Sequence, residues 1–150
     1  MSKFLDRPYD ERRAMNGTFG EMYLDGEIVR ETTALKAEVS LEYADVKMCG
    51  TFAKTQKVNG MSCKGSVTMT KTNSRMTLKL SDFIKQGKTP SFTIVSKLAD
   101  PDSWGAERIV FKNVQFSTIT LADWAADTIG TITSPFTFTD WDLLDVITPQ

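Results

Sequence analysis

The sequence predicts a mostly β fold, two packed antiparallel β-sheets in a sandwich or half-barrel with one flanking α-helix, on three observations. Thr33 to Tyr43 alternates strictly, with Leu35, Ala37, Val39, Leu41 and Tyr43 on one side and Lys36, Glu38, Ser40 and Glu42 on the other, as in a strand with one buried face. Asp25-Gly26 joins two short alternating runs in FGEMYLDGEIVR, a dipeptide suited to a tight type I′ hairpin. Only the stretch after Ser74 carries apolar residues at helical spacing, and β-like runs lie on both sides of it.

In chain order, residues 1–14 read as a polar arm in which charges surround Phe4, Leu5 and Tyr9. Such a segment either orders against a partner or trails as a tail. Residues 15–150 are expected to form a single domain. The 150-residue chain, with 41% hydrophobic and 25% charged residues, is long enough to bury a core without covalent staples.

Met61, Cys63, Val67 and Met69 alternate with Ser62, Lys64, Ser66, Thr68 and Thr70, so this run is expected to pair with Thr33–Tyr43. Between the two runs lies Asp45 to Gly60, longer than a hairpin connection needs. It carries Lys47, Lys54 and Lys57 against Asp45, and Met48, Phe52 and Val58 that no strand obviously buries. That composition is read as an interaction loop, with disorder as the alternative. A helix is expected over about residues 74–87, capped by Asn73 or Ser74, docked through Met76, Leu80, Phe83 and Ile84, and ended by Gly87 and Pro90. Further strands are expected at Pro90–Leu98, Glu107–Phe116, Ser117–Trp124 and Ile129–Thr139. Pro135 marks an edge, a bulge or a crossing between sheets.

Composition excludes much chemistry. There is no histidine, which removes the commonest general base and most zinc sites. No Gly-rich phosphate loop and no C-x-x-C pair occurs, so neither cofactor nor metal is expected and the chain is read as no enzyme. A net charge of -1 supplies no field for tight nucleic-acid binding. The polar start and the lack of a long apolar run place the chain in a cytoplasm, with Cys49 and Cys63 as free thiols. Asp100-Pro101-Asp102-Ser103-Trp104-Gly105 fits turn chemistry better than a calcium loop. Asp140 with Asp142, and Asp123 with Asp127, read as solvated charge.

Longer phrases carry a resemblance. Gly17 to Gly26 reads GTFGEMYLDG, Gly65 to Met69 reads GSVTM ahead of the helix, and the C-terminal third reads KLADPDSWGAERIVFKNVQFSTITLADW and then IGTITSPFTFTDWDLLDVI. In this order they resemble the tail-tube (tail core) proteins of contractile phage tails, in particular tube subunits of PBSX-type defective prophages and diffocin-like R-type bacteriocins. The polar segment before Ala14 is longer than that pattern.

The resemblance implies a tail-tube fold and a structural subunit forming hexameric rings that stack into a hollow tube, a conduit for DNA or ions. It also implies sheath, tape-measure and baseplate tube-initiator partners. The setting is a virion or phage-tail-like particle, with assembly in the host cytoplasm. On this reading Lys36, Glu38, Ser40 and Glu42, with Lys64, Ser66, Thr68 and Thr70, line the lumen; the alternative is that they face outward. Met48, Phe52, Lys54 and Lys57 would reach a neighbouring ring. A type VI secretion-like exported tube shares this fold. From a different class, a small carbohydrate-binding β-sandwich would use Trp104, Trp124 and Trp141 as a stacking platform.

Overall fold

The architecture, given by a computed structural model, is described for residues 11–148. The reading placed on Phe4, Leu5 and Tyr9 lies outside the described residues. Strands β1 (Gly20–Leu24) and β2 (Glu27–Ile28) are joined by the expected turn, with φ of 50° at Asp25 and 85° at Gly26, both positive as a type I′ turn requires. The Asp25 side chain accepts a 2.9 Å hydrogen bond from the Thr93 amide, which ties the turn to β5 (Phe92–Leu98), the strand beside β1.

Strands β3 (Thr32–Val46) and β4 (Thr55–Thr70) form one long antiparallel hairpin. Here the expected connection of residues 45–60 is corrected: pairing continues through Tyr43 with Val58, Ala44 with Lys57 and Val46 with Thr55, so the loop is only 47–54. Within that stretch Gly60 pairs with Glu42, and Asn59 is an extra residue in the ladder. A bulge absorbs it without ending the strand.

Helix α1 (Arg75–Lys85) follows, with the Asn73 side chain accepting from the Arg75 amide at 3.0 Å. Its end at Gly87, φ 70°, is closed by the Lys88 amide donating to Phe83 O, a left-handed stop that glycine adopts without strain. Met76 and Leu80 are buried, whereas Phe83 and Ile84 are exposed. The expected four-residue stripe is therefore half right. The helix is anchored at its start, where Arg75 donates to Ile28 O and Lys79 pairs with Glu27, and its last turn leads away from the core.

Strands β6 (Glu107–Phe116), β7 (Thr131–Thr137) and β8 (Asp140–Asp145) complete the fold. The eight strands make one antiparallel sheet, ordered β2-β1-β5-β6-β7-β4-β3, with β8 also paired to β6. The two halves expected as separate sheets are thus continuous through β6. Its Arg108–Lys112 portion pairs with β8, whereas Gln115 and Phe116 pair with β7. Between them Asn113 has φ 54° and the β5 register slips by a residue, a bulge that bends the strand without breaking it.

Pro135 stands at the same junction. Before it β7 pairs only with β4, and after it Phe136 and Thr137 pair with β6 as well. The strand expected at Ser117–Trp124 does not form: the Ser117 amide reaches Pro135 O at 3.1 Å, and the chain then runs as a loop to β7. Alternation alone cannot supply a ladder partner.

Both halves and the helix share one core, including Met22, Leu24, Val67, Ile94, Leu80 and Phe136. A chain of rings crosses it from Phe92 to Phe116, Phe136 and Phe138, with centroid spacings of 5.6, 6.0 and 6.1 Å. Such tilted pairs add about 0.5–1.5 kcal/mol each beyond burial.

Candidate functional site

The β3-β4 hairpin presents two unlike faces. On the polar face Lys36 stands opposite Ser66, Glu38 opposite Lys64, and Ser40 opposite Ser62, so the expected residues Lys36, Glu38, Ser40, Glu42, Lys64, Ser66 and Thr68 do fall together on paired strands. Thr70 ends the same row on β4. All are exposed or half-buried. Lys36 Nζ lies 3.7 Å from Glu38 Oε2.

Strand β7 extends this face with Thr131, Thr133 and Thr137, opposite Thr70, Thr68 and Lys64. The Thr68 and Thr133 hydroxyls are 3.3 Å apart. Sequence reasoning missed these three threonines, although the alternation in T-I-T-S-P-F-T carried the signal; only the β4-β7 register shows which face they join.

On the opposite face the proximal residues are covered. Val67, Met69 and Cys63 are buried, with Leu35, Ala37 and Val39 packed beside them. The same alternation then runs past the end of the core. Leu41 pairs with Met61 and Tyr43 with Val58, and all four side chains are about half exposed, at 49–55%. An apolar strip on a projecting hairpin is costly in water unless another surface covers it.

At the hairpin tip, Met48 and Cys49 are exposed and Phe52 stands out fully, at 110% of its reference exposure. Lys54 adjoins this tip, but Lys57 does not: it lies on β4, opposite Ala44. The expected four-residue loop cluster is therefore three tip residues and one strand residue.

The remaining candidates have structural explanations. The Asp100 carboxylate accepts from the Asn16 and Asp102 amides, each at 2.9 Å, and the Ser103 amide donates to Asp100 O. This is a turn that pins the chain before β1 to the one before β6. Asp142 pairs with Lys112 and Asp145 with Arg108 across β8 and β6. The hydrogen bond that Lys112 donates to Asp142 raises the Lys112 pKa above its ordinary value. Trp141 packs edge-on against Phe138 at 6.3 Å, whereas Trp104 and Trp124 are exposed on separate loops. Among the described residues no helix is long and apolar enough to cross a membrane.

Comparison with known proteins gives a consistent picture. A family model described as phage tail tube protein matches residues 8–145. The phage-like element PBSX protein XkdM of Bacillus subtilis (strain 168) is 29% identical over 134 residues, covering 88% of this chain and 91% of the relative. Among solved structures, the tube-terminating cap of the anti-feeding prophage superposes with a TM-score of 0.72 at 10% identity, over 97% of this chain and 100% of that one. The sheath-tube complex of the extracellular contractile injection system PVC, in its extended state, gives 0.65 at 11% identity, over 97% and 99%. At those identities the likeness is one of fold.

Proposed function

The chain belongs to the phage tail tube protein family, and from that premise we propose that its copies close into hexameric rings stacking into the hollow tube of a contractile phage tail or phage-tail-like particle. The family is structural, which points to a role other than catalysis.

The observation that carries the ring reading is the two-faced hairpin. Its apolar strip of Leu41, Tyr43, Val58 and Met61 outruns the core of its own subunit, and a second copy would cover it. Its polar face, continued by β7, would then turn to the lumen. Among the described residues the fifteen-residue strand β3 ends the sheet path, paired in the sheet only with β4. An edge of that length invites pairing, and ring closure removes it.

Met48, Phe52 and Lys54 at the hairpin tip would contact the next ring, with Lys57 flanking them on the strand. The tube would be a conduit for DNA or ions, working with sheath, tape-measure and baseplate tube-initiator proteins, assembled in the host cytoplasm and carried in the particle. Negative-stain microscopy of the purified protein at rising concentration, with and without a baseplate nucleus, tests the reading. Rings or cylinders are expected; a chain that stays monomeric at every concentration and fails to extend a nucleus would refute it.

A further inference from the structure

We propose that the hairpin tip of one copy docks on the loop of residues 117–130 of a copy in the adjoining ring, with Phe52 seated beside Trp124, and Lys47 and Lys54 facing Asp123 and Asp127. This rests on the stacked-ring reading above and names the surface that receives the tip.

Rings that stack by translation along one axis meet head to tail, so the surface at one end of a subunit must fit a different surface at its other end. The two segments lie at opposite ends of one strand. The tip, residues 47–54, leaves β3 where Val46 pairs with Thr55, the first residue of β4. The loop 117–130 is fastened at the far end of β4, where the Lys71 amide donates to Gly130 O at 2.8 Å and Thr70 pairs with Thr131. The sixteen residues of β4 separate them, about 50 Å at a strand rise of roughly 3.3 Å per residue.

Both ends carry apolar surface that their own subunit leaves in water. Met48 and Phe52 stand out at the tip, and Leu121, Trp124 and Ile129 are 73–87% exposed on the loop. The loop surface is concave: Leu121 and Trp124 border a hollow of about 170 Å³ with Ile132, and Trp124 and Ile129 border a second of about 90 Å³. The larger hollow is of a size that admits a benzene ring, the outline of the Phe52 side chain. An aromatic side chain set in such a recess is the usual form of an interface anchor.

Charge agrees with this pairing. The tip holds Lys47 and Lys54 and no acid, and the loop holds Asp123 and Asp127 and no base. All four are exposed, and among the described residues none is in an ion pair. Neighbours reverse neither sign: Asp45 and Lys57 beside the tip cancel, leaving its two lysines uncompensated, and Lys71, which lines the larger hollow, still leaves the loop one carboxylate in excess. Opposite charges around an apolar anchor fix the register of a contact. Tip on tip, or loop on loop, would set like charges together, so the same charges favour head-to-tail stacking.

The native Cys49 supplies the reporter, since it is exposed at the tip whereas Cys63 is buried. Ala122→Cys, Ala125→Cys and Ala126→Cys each place one thiol on the loop, and a short bis-maleimide is added to isolated rings and to cylinders. Copies joined tip to loop can be linked without limit, so cylinders are expected to give a denaturing-gel ladder of dimer, trimer and longer chains, and isolated rings none. The unaltered chain, with one reactive thiol, stops at dimer. Cylinders that give no ladder at any of the three positions overturn the docking and leave the stacking reading standing; a ladder from isolated rings places the contact within the ring and overturns it too. A native chain that forms no cylinders defeats both. Charge exchange gives a second readout that needs no loop thiol. Lys47→Glu with Lys54→Glu should raise the concentration at which cylinders appear by about tenfold or more, and adding Asp123→Lys with Asp127→Lys should return it to within about threefold of native. A quadruple variant that still forms rings but is not restored counts against the proposal.

Discussion

Gly65 on β4 sits opposite Phe136 on β7, and the ring closes over the glycine so tightly that a Cβ there would lie 2.5 Å from Phe136 Cζ and 2.5 Å from the Lys36 carbonyl oxygen. Phe136 is among the largest fully buried side chains. Neither neighbour can yield cheaply, because one is core and the other is backbone of the paired strand. Gly65→Ala is therefore expected to cost at least the ~1–3 kcal/mol typical of overpacking, read as a lower denaturation midpoint with unchanged slope. Unaltered stability would show that the β4-β7 packing is looser than described.

The fold was legible where its cause is local. Asp25-Gly26 specifies its turn by backbone preference alone, and the alternation of Thr33–Tyr43 sorts the side chains of β3 without reference to a partner. Legibility failed where the cause is a neighbour. Ser117–Trp124 alternates but finds no ladder, residues 45–60 read as one long loop although pairing runs on to Val46 with Thr55, and the bend at Asn113 that joins the two halves leaves no periodic trace. The polar face was half visible: β3 and β4 announce it, but the threonines of β7 join it only through the register of Thr68 with Thr133.

The exposed strip on the hairpin separates folding from assembly. Leu41 and Tyr43 contribute little to the core of their own subunit, since each is about half exposed. Leu41→Glu with Tyr43→Ser is expected to shift monomer stability by only about 0.5 kcal/mol per site, as surface changes usually do, while abolishing rings and cylinders. Circular dichroism melting and sedimentation velocity read the two effects separately. Loss of the fold, or unimpaired assembly, would contradict the role given to the strip.

Two exposed groups set an alkaline response. A hydrogen bond to Glu21 raises the Tyr23 pKa, and one to Asp142 raises that of Lys112. A raised folded pKa means that the protonated form is favoured in the fold. The associated stability is complete below the ordinary values of 10.0 for Tyr23 and 10.5 for Lys112 and is lost as pH rises through the folded values. Glu21→Gln should bring forward the phenolate absorbance of Tyr23, and Lys112→Met should flatten the stability loss above that range. Both curves are expected to be unaffected near neutral pH.

The hairpin tip should act on stacking without acting on the subunit. Phe52 touches so little of its own chain that it is fully exposed, and Met48 beside it is also exposed, so neither contributes appreciable burial to the monomer. If they anchor one ring on the next, removing them deletes apolar area from that contact alone. Anchors of this kind typically account for about 2 kcal/mol or more each. Met48→Ser with Phe52→Ser is thus expected to leave the melting temperature unchanged and still allow rings, but to shorten cylinders or raise sharply the concentration at which they appear. Electron microscopy of length distributions against concentration measures this, and cylinders of ordinary length at ordinary concentration would place the ring-to-ring contact elsewhere on the subunit.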